Sequence, residues 1–120
     1  MVNRWVIGMS VSAQALDGVY GKPAAGVRAR LEHGVDGRWQ AVASAETDEA
    51  GGIAGFGTGR LTRGPYRIVF DSDRYFAGLG VSAAYPEITV VFRVLSELHA
   101  CQIQVLMTPF SYSLYFGERA

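Results

Sequence analysis

Few side chains in this sequence could do chemistry near neutral pH, and their spacing limits what that chemistry can be. There are two histidines, His33 and His99, and one cysteine, Cys101. A metal ion needs several His, Cys or carboxylate ligands converging on one point, and two separated histidines with one cysteine do not supply them. His33 stands beside Gly34 in a predicted turn and His99 in the loop after Ser96-Glu97-Leu98, so both are expected on the surface. Cys101 alternates with Ile103, Val105 and Met107, the pattern of a buried small apolar residue and not of a nucleophile. The glycine-dense stretch from Gly51-Gly52 to Gly57 and Gly59 lacks the Lys-Ser/Thr and the following helix of a phosphate loop. No cofactor is expected. What remains is amide chemistry: Gln14, Gln102 and Gln104 fall on the opposite face of their strands from the apolar residues that flank them. An amide offers donors and an acceptor to a polar ligand but cannot take up a proton.

The elements that must position these side chains read as β-strands. Val11, Ala13 and Ala15 alternate with Ser12 and Gln14 in a first strand that the stretch Trp5–Met9 precedes. Arg4 followed by that apolar stretch and Ala13-Gln14-Ala15 imitates a signal-peptide cleavage site, but the run is short and broken by Ser10 and Ser12, so a strand and a cytoplasmic protein are expected. Val27, Ala29 and Leu31 alternate with Arg28, Arg30 and Glu32, and the turn signal Val35-Asp36-Gly37 leads to a second strand, Trp39–Ser44, which makes a hairpin. Gly64-Pro65 opens a strand through Tyr66, Ile68 and Phe70. A short helix follows from Asp73 to Leu79, with Asp71 or Ser72 as its cap and Gly80 as its stop. Pro86 starts the most strand-like segment, Ile88–Val94, predicted to be central in its sheet, and two last strands run through Cys101–Met107 and Phe110–Phe116.

Seven or eight such strands and one helix predict an all-β, two-sheet Greek-key sandwich, a single domain over residues 1–120. Eleven basic side chains balance eleven acidic ones, and the basic residues are scattered, which argues against a nucleic-acid partner. No run approaches the ~18 apolar residues of a spanning helix, so no membrane partner is expected. Lys22 is the only lysine among eleven basic residues, a bias that suggests a GC-rich bacterial genome.

Four stretches then carry a resemblance: Ala15-Leu16-Asp17 with Gly21-Lys22-Pro23-Ala24-Ala25-Gly26-Val27; Phe70-Asp71 through Tyr75-Phe76 to Leu79-Gly80; Tyr85-Pro86-Glu87-Ile88-Thr89-Val90-Val91-Phe92; and Thr108-Pro109-Phe110-Ser111-Tyr112-Ser113. In these the chain resembles the transthyretin-like family, whose bacterial members are 5-hydroxyisourate hydrolases, from about residue 7 to the C-terminus. The resemblance implies a homotetramer, a dimer of dimers, with substrate or ligand held in the channel between the dimers. It implies that Gln14, Leu16, Gln102, Gln104, Leu106 and Ser113 face that channel as binding residues, with Tyr115 beside them. The hydrolases' two histidines fall on Gln14 and Gln102, and the Arg after their Thr-Asp-x-x-Gly loop falls on Gly52. Glu118 takes the place of the family's terminal Ser, where a carboxylate could transfer protons, so Glu118 and Tyr115 are the candidate catalytic pair. Asp17 is assigned to the turn that follows it.

Without those histidines and that Arg, attack by water on a ring carbonyl has neither a base nor an oxyanion partner, so ordinary hydroxyisourate hydrolysis is not expected. Three readings stay open at this level: a diverged enzyme of specialised metabolism acting on a small polar or heterocyclic molecule, a non-catalytic small-ligand binder, and a hydroxyisourate hydrolase of purine catabolism.

Overall fold

The computed structural model describes residues 11–57, 61–96 and 100–119. The apolar stretch Trp5–Met9 and the loop residue His99 lie outside these residues. Among the described residues nine strands form, β1 (Val11–Asp17), β2 (Lys22–Pro23), β3 (Arg28–Val35), β4 (Arg38–Glu46), β5 (Gly52–Ile53), β6 (Gly64–Phe70), β7 (Ile88–Val94), β8 (Ala100–Met107) and β9 (Tyr112–Arg119), with a 3-10 turn at Gly55–Gly57 and one α-helix, α1 (Ser72–Gly78), between β6 and β7. One sheet has the order β2-β1-β8-β9 with β5 also paired to β1, and the other the order β4-β3-β6-β7. The architecture is the expected all-β sandwich.

Alternation builds the core. Val11, Ala13, Ala15, Ile103 and Val105 from the first sheet meet Leu31, Ile68, Phe70 and Ile88 from the second, all buried, each worth about 1.5–3 kcal/mol for the larger side chains. The β3–β4 hairpin turns at Asp36 and Gly37, whose φ values of 52° and 76° are the left-handed pair that an Asp-Gly turn accommodates. The β8–β9 connection is closed by Thr108, whose Oγ1 accepts from the Ser111 amide at 2.9 Å.

Four expectations are corrected. Among the described strands β7 is an edge, paired to β6 alone, because strand propensity reports how well side chains suit a pleated surface and says nothing about how many neighbours the topology supplies. Phe110 lies in the β8–β9 turn, outside the strand, at 70% exposure. His33 is in β3, half-buried, with its ring stacked on Tyr66 at 4.2 Å, because β3 extends to Val35, beyond the charged alternation that ends at Glu32. Asp71 stands at the N-cap position of α1 but makes no side-chain bond to its amides, and the buried Ser72 Oγ has no partner among the described residues. The C-terminal stop is as expected. Gly80, at φ 75°, donates its amide to Ala77 while Val81 donates to Phe76, a Schellman ending.

Candidate functional site

Register decides which side chains share a face. β1 runs parallel to β8 with Ser12, Gln14 and Leu16 opposite Gln102, Gln104 and Leu106, and β9 runs antiparallel to β8 with Gly117, Tyr115 and Ser113 opposite the same three. All of these side chains therefore stand on the outer face of the first sheet, because the alternate residues, Cys101, Ile103, Val105 and Met107, fill the core. Gln104 Nε2 donates to Gln14 Oε1 at 3.2 Å, and Gln14 Nε2 reaches the Ala50 carbonyl at 3.4 Å. Tyr115 is 61% exposed and Leu106 43% exposed, so the face is open in the protomer. Beside Gly117 the Tyr115 ring lies flat along the strand: a Cβ at 117 would meet its Cε2 at 3.1 Å.

Glu118 does not share this face. Its register partner is Cys101, so its position belongs to the core-facing set, while Tyr115 pairs with Gln104. The two proposed proton-transfer residues point to opposite sides by strand alternation, and Glu118 is exposed at the sheet edge, not enclosed. Both nevertheless line one cavity of about 250 Å³ at the end of the sheet, together with Ser12, Gln102, Cys101 and Gly117. Cys101 is 2% exposed, and burial, with the Glu118 charge adding to it, pushes its thiol above the ordinary value, as suits a packing residue.

Asp17 closes β1 where the polar face ends. Its Oδ1 accepts from the amides of Val19 (2.8 Å) and Tyr20 (3.0 Å), and its Oδ2 from the Tyr75 hydroxyl of α1 at 2.6 Å. Burial works to raise its pKa, but the Tyr75 hydroxyl, the two amides and the Lys22 charge outweigh it and hold the carboxyl below its ordinary value. The Tyr75 phenol is pushed up by burial and by the same carboxylate. Asp17 is thus the turn residue the sequence made it.

The loop before β5 holds a carboxylate that sequence reasoning passed over. Thr47 is buried, its hydroxyl donating to Ala24 and accepting from the Val27 amide, which pins the start of the loop. Asp48 Oδ1 then accepts the amides of Ala50 and Gly52, both at 2.9 Å. Gly52 pairs with Gln14, and so this carboxylate comes to the edge of the amide face. Spacing in the sequence could signal an Asx-type loop at Thr47-Asp48 but could not signal its neighbour across a two-residue strand. Among the described residues no group of three His, Cys, Asp or Glu side chains is placed to hold a metal ion.

Residues 11–117 match the model of the HIUase/Transthyretin family. The chain belongs to that family. It is similar to the 5-hydroxyisourate hydrolase of Salmonella dublin, 31% identical over 109 residues covering 90% of this chain and 80% of the relative. The 5-hydroxyisourate hydrolase of Mus musculus is 29% identical over 111 residues, covering 90% of this chain and 94% of that one. Among solved structures, transthyretin from Sparus aurata superposes with a TM-score of 0.89 at 27% identity, covering 93% of this chain and 99% of that one. Sea bream transthyretin in complex with thyroxine does so with a TM-score of 0.85 at 28% identity, covering 89% and 93%. As a HIUase/Transthyretin family member the chain presents a sheet face lined by amides, a phenol, hydroxyls and two leucines, able to orient a ligand through donors and acceptors and to pack its apolar part.

Proposed function

We propose that this chain holds a small polar or heterocyclic molecule against the amide face of Gln14, Gln102, Gln104, Ser113 and Tyr115, in a channel between the two dimers of a homotetramer, and does not carry out ordinary hydroxyisourate hydrolysis. The observation that carries this reading is the Gln104-to-Gln14 hydrogen bond on an uncovered face. It orients two amides side by side while leaving further donors and acceptors to a ligand, with Leu16 and Leu106 as the apolar wall. Both tetramer and channel are in keeping with the family, and the sea bream relative is a thyroxine complex. Self-association is supported by the edges: among the described strands β7 and β9 each have one unpaired side, and Val91, Leu95 and Phe116 are 63%, 62% and 43% exposed there.

Two versions of the reading each have an observation in their favour. A non-catalytic binder is favoured by the register that sets Glu118 opposite Cys101, away from the amides. An enzyme for cyclisation, isomerisation or hydrolysis is favoured by the cavity that Glu118 and Tyr115 both line with Gln102. In that version Glu118 transfers the proton, Tyr115 polarises the substrate and the amides orient it.

The test is a titration of the labelled protein with hydantoin and with uracil, followed by amide NMR. Saturable shifts of the Gln14, Gln102 and Gln104 side-chain amides, lost in a Gln102→Ala, Gln104→Ala double variant, are expected. Shifts confined to other parts of the chain, or none with either compound, overturn the reading.

A further inference from the structure

Two adjacent glycines end the loop before β5, and only one of them is required by the backbone. Gly51 has φ 80°, and a Cβ there would stand 2.4 Å from the Ala15 carbonyl, so no other residue fits. Gly52 has no left-handed φ, and a Cβ on it would meet nothing nearer than the Asp48 carboxylate, Oδ1 at 3.7 Å and Oδ2 at 3.8 Å. The fold does not need a glycine at 52. Its effect is to leave a notch on the outer face of the first sheet, bordered by Asp48 on one side and by its pairing partner Gln14 on the other.

The notch presents two acceptors on its loop side. Asp48 Oδ1 is engaged by the Ala50 and Gly52 amides, whereas Oδ2 accepts no hydrogen bond among the described residues. The Ala50 carbonyl takes only a long bond from Gln14 Nε2, at 3.4 Å, and its second lone pair is open. Gln14 closes the remaining side with its amide, whose Nε2 faces the Ala50 carbonyl while Oε1 is turned to Gln104 on the neighbouring β8. A carboxylate oxygen beside a backbone carbonyl, with no cation facing them among the described ion pairs, is complementary to a flat group that carries several N–H donors and a positive charge.

We propose that the notch at Gly52 is a subsite for the amidinium or guanidinium group of a small molecule, with Asp48 as its charge partner and the Ala50 carbonyl as its orienting acceptor. This deepens the reading of the amide face, on which it rests, by giving one end of the ligand a charge. It also supplies the site with the carboxylate that Glu118, registered opposite Cys101, does not bring to that face.

The experiment uses benzamidine as the cationic probe and benzamide as its neutral counterpart, with amide NMR on the full chain. Benzamidine should shift the Gly52 and Ala50 backbone amides saturably, and benzamide should not. Asp48→Asn keeps the Oδ1 acceptor that holds the loop and removes only the charge, so it should weaken benzamidine by about tenfold or more, the scale of one charge-assisted bond. Gly52→Arg places a guanidinium in the notch and should abolish binding of the probe. No shift with benzamidine, equal shifts with benzamide, or unchanged affinity in Asp48→Asn or Gly52→Arg overturns the proposal. Should hydantoin still move the Gln102 and Gln104 amides in that case, the amide-face reading stands and only the cationic subsite falls.

Discussion

The hydrogen bond between Tyr75 and Asp17 ties α1 to the end of β1, and Tyr75→Phe removes it without changing the shape of the side chain. Asp17 is 1% exposed, so its Oδ2 would lose a donor that water cannot readily replace. Bonds to a charged acceptor contribute about 1.5–3 kcal/mol. Because Oδ1 keeps both of its amide donors, about 2 kcal/mol is expected at pH 7, a large part of the ~5–15 kcal/mol that stabilises a domain. For a chain of this size that lowers Tm by about 8–12 °C.

The pH dependence gives the test its second arm. The Asp17 pKa is depressed in the folded protein, so the stability it contributes is whole above its ordinary value of 3.8 and is lost as pH falls through the folded value. The deficit of Tyr75→Phe is therefore expected in full at pH 7 and should shrink below about pH 4 as the carboxylate protonates. Urea unfolding at one fixed protein concentration, read by tryptophan fluorescence, measures both quantities. A deficit under about 0.5 kcal/mol at pH 7, or one that stays constant down to pH 3, refutes the argument that a charged, buried Asp17 anchors the helix.

Light scattering should give a tetramer, and a species at the 13.0 kDa of one chain would refute the channel. A direct ultraviolet assay should detect no hydroxyisourate turnover, and turnover at the rate of a family hydrolase would mean that the amide face contains a base. If the cavity at the sheet end is catalytic, Glu118→Gln should lower kcat by about a hundredfold with the tetramer intact; retained activity would leave the non-catalytic version. Gly51→Ala should destabilise the fold severely and Gly52→Ala scarcely at all, since only the first would drive a Cβ to 2.4 Å from the Ala15 carbonyl; equal melting temperatures for the two variants would refute the assignment of Gly51 as the required glycine.

Most elements with a local signal were legible in the sequence, the helix cap at Asp71 or Ser72 and the strand start at Phe110 being the exceptions. Period-two alternation set the inward residues of β1, β3, β6 and β8, Asp36-Gly37 set the hairpin, and Gly80 set the end of α1. It also placed Gln14, Gln102 and Gln104 on one kind of face, because facing depends only on the pleat. Tertiary structure decided what depends on which strands become neighbours. The pairing of β8 with β9 fixed the side on which Glu118 falls, since a step of one residue in register reverses every side chain of a strand. The parallel pairing of β1 with β8 brought Gln14 to Gln104 across ninety positions. The two residues of β5 brought Asp48 to the same edge. Long-range pairing is chosen by the summed burial of both sheets, and no window along the chain contains that sum.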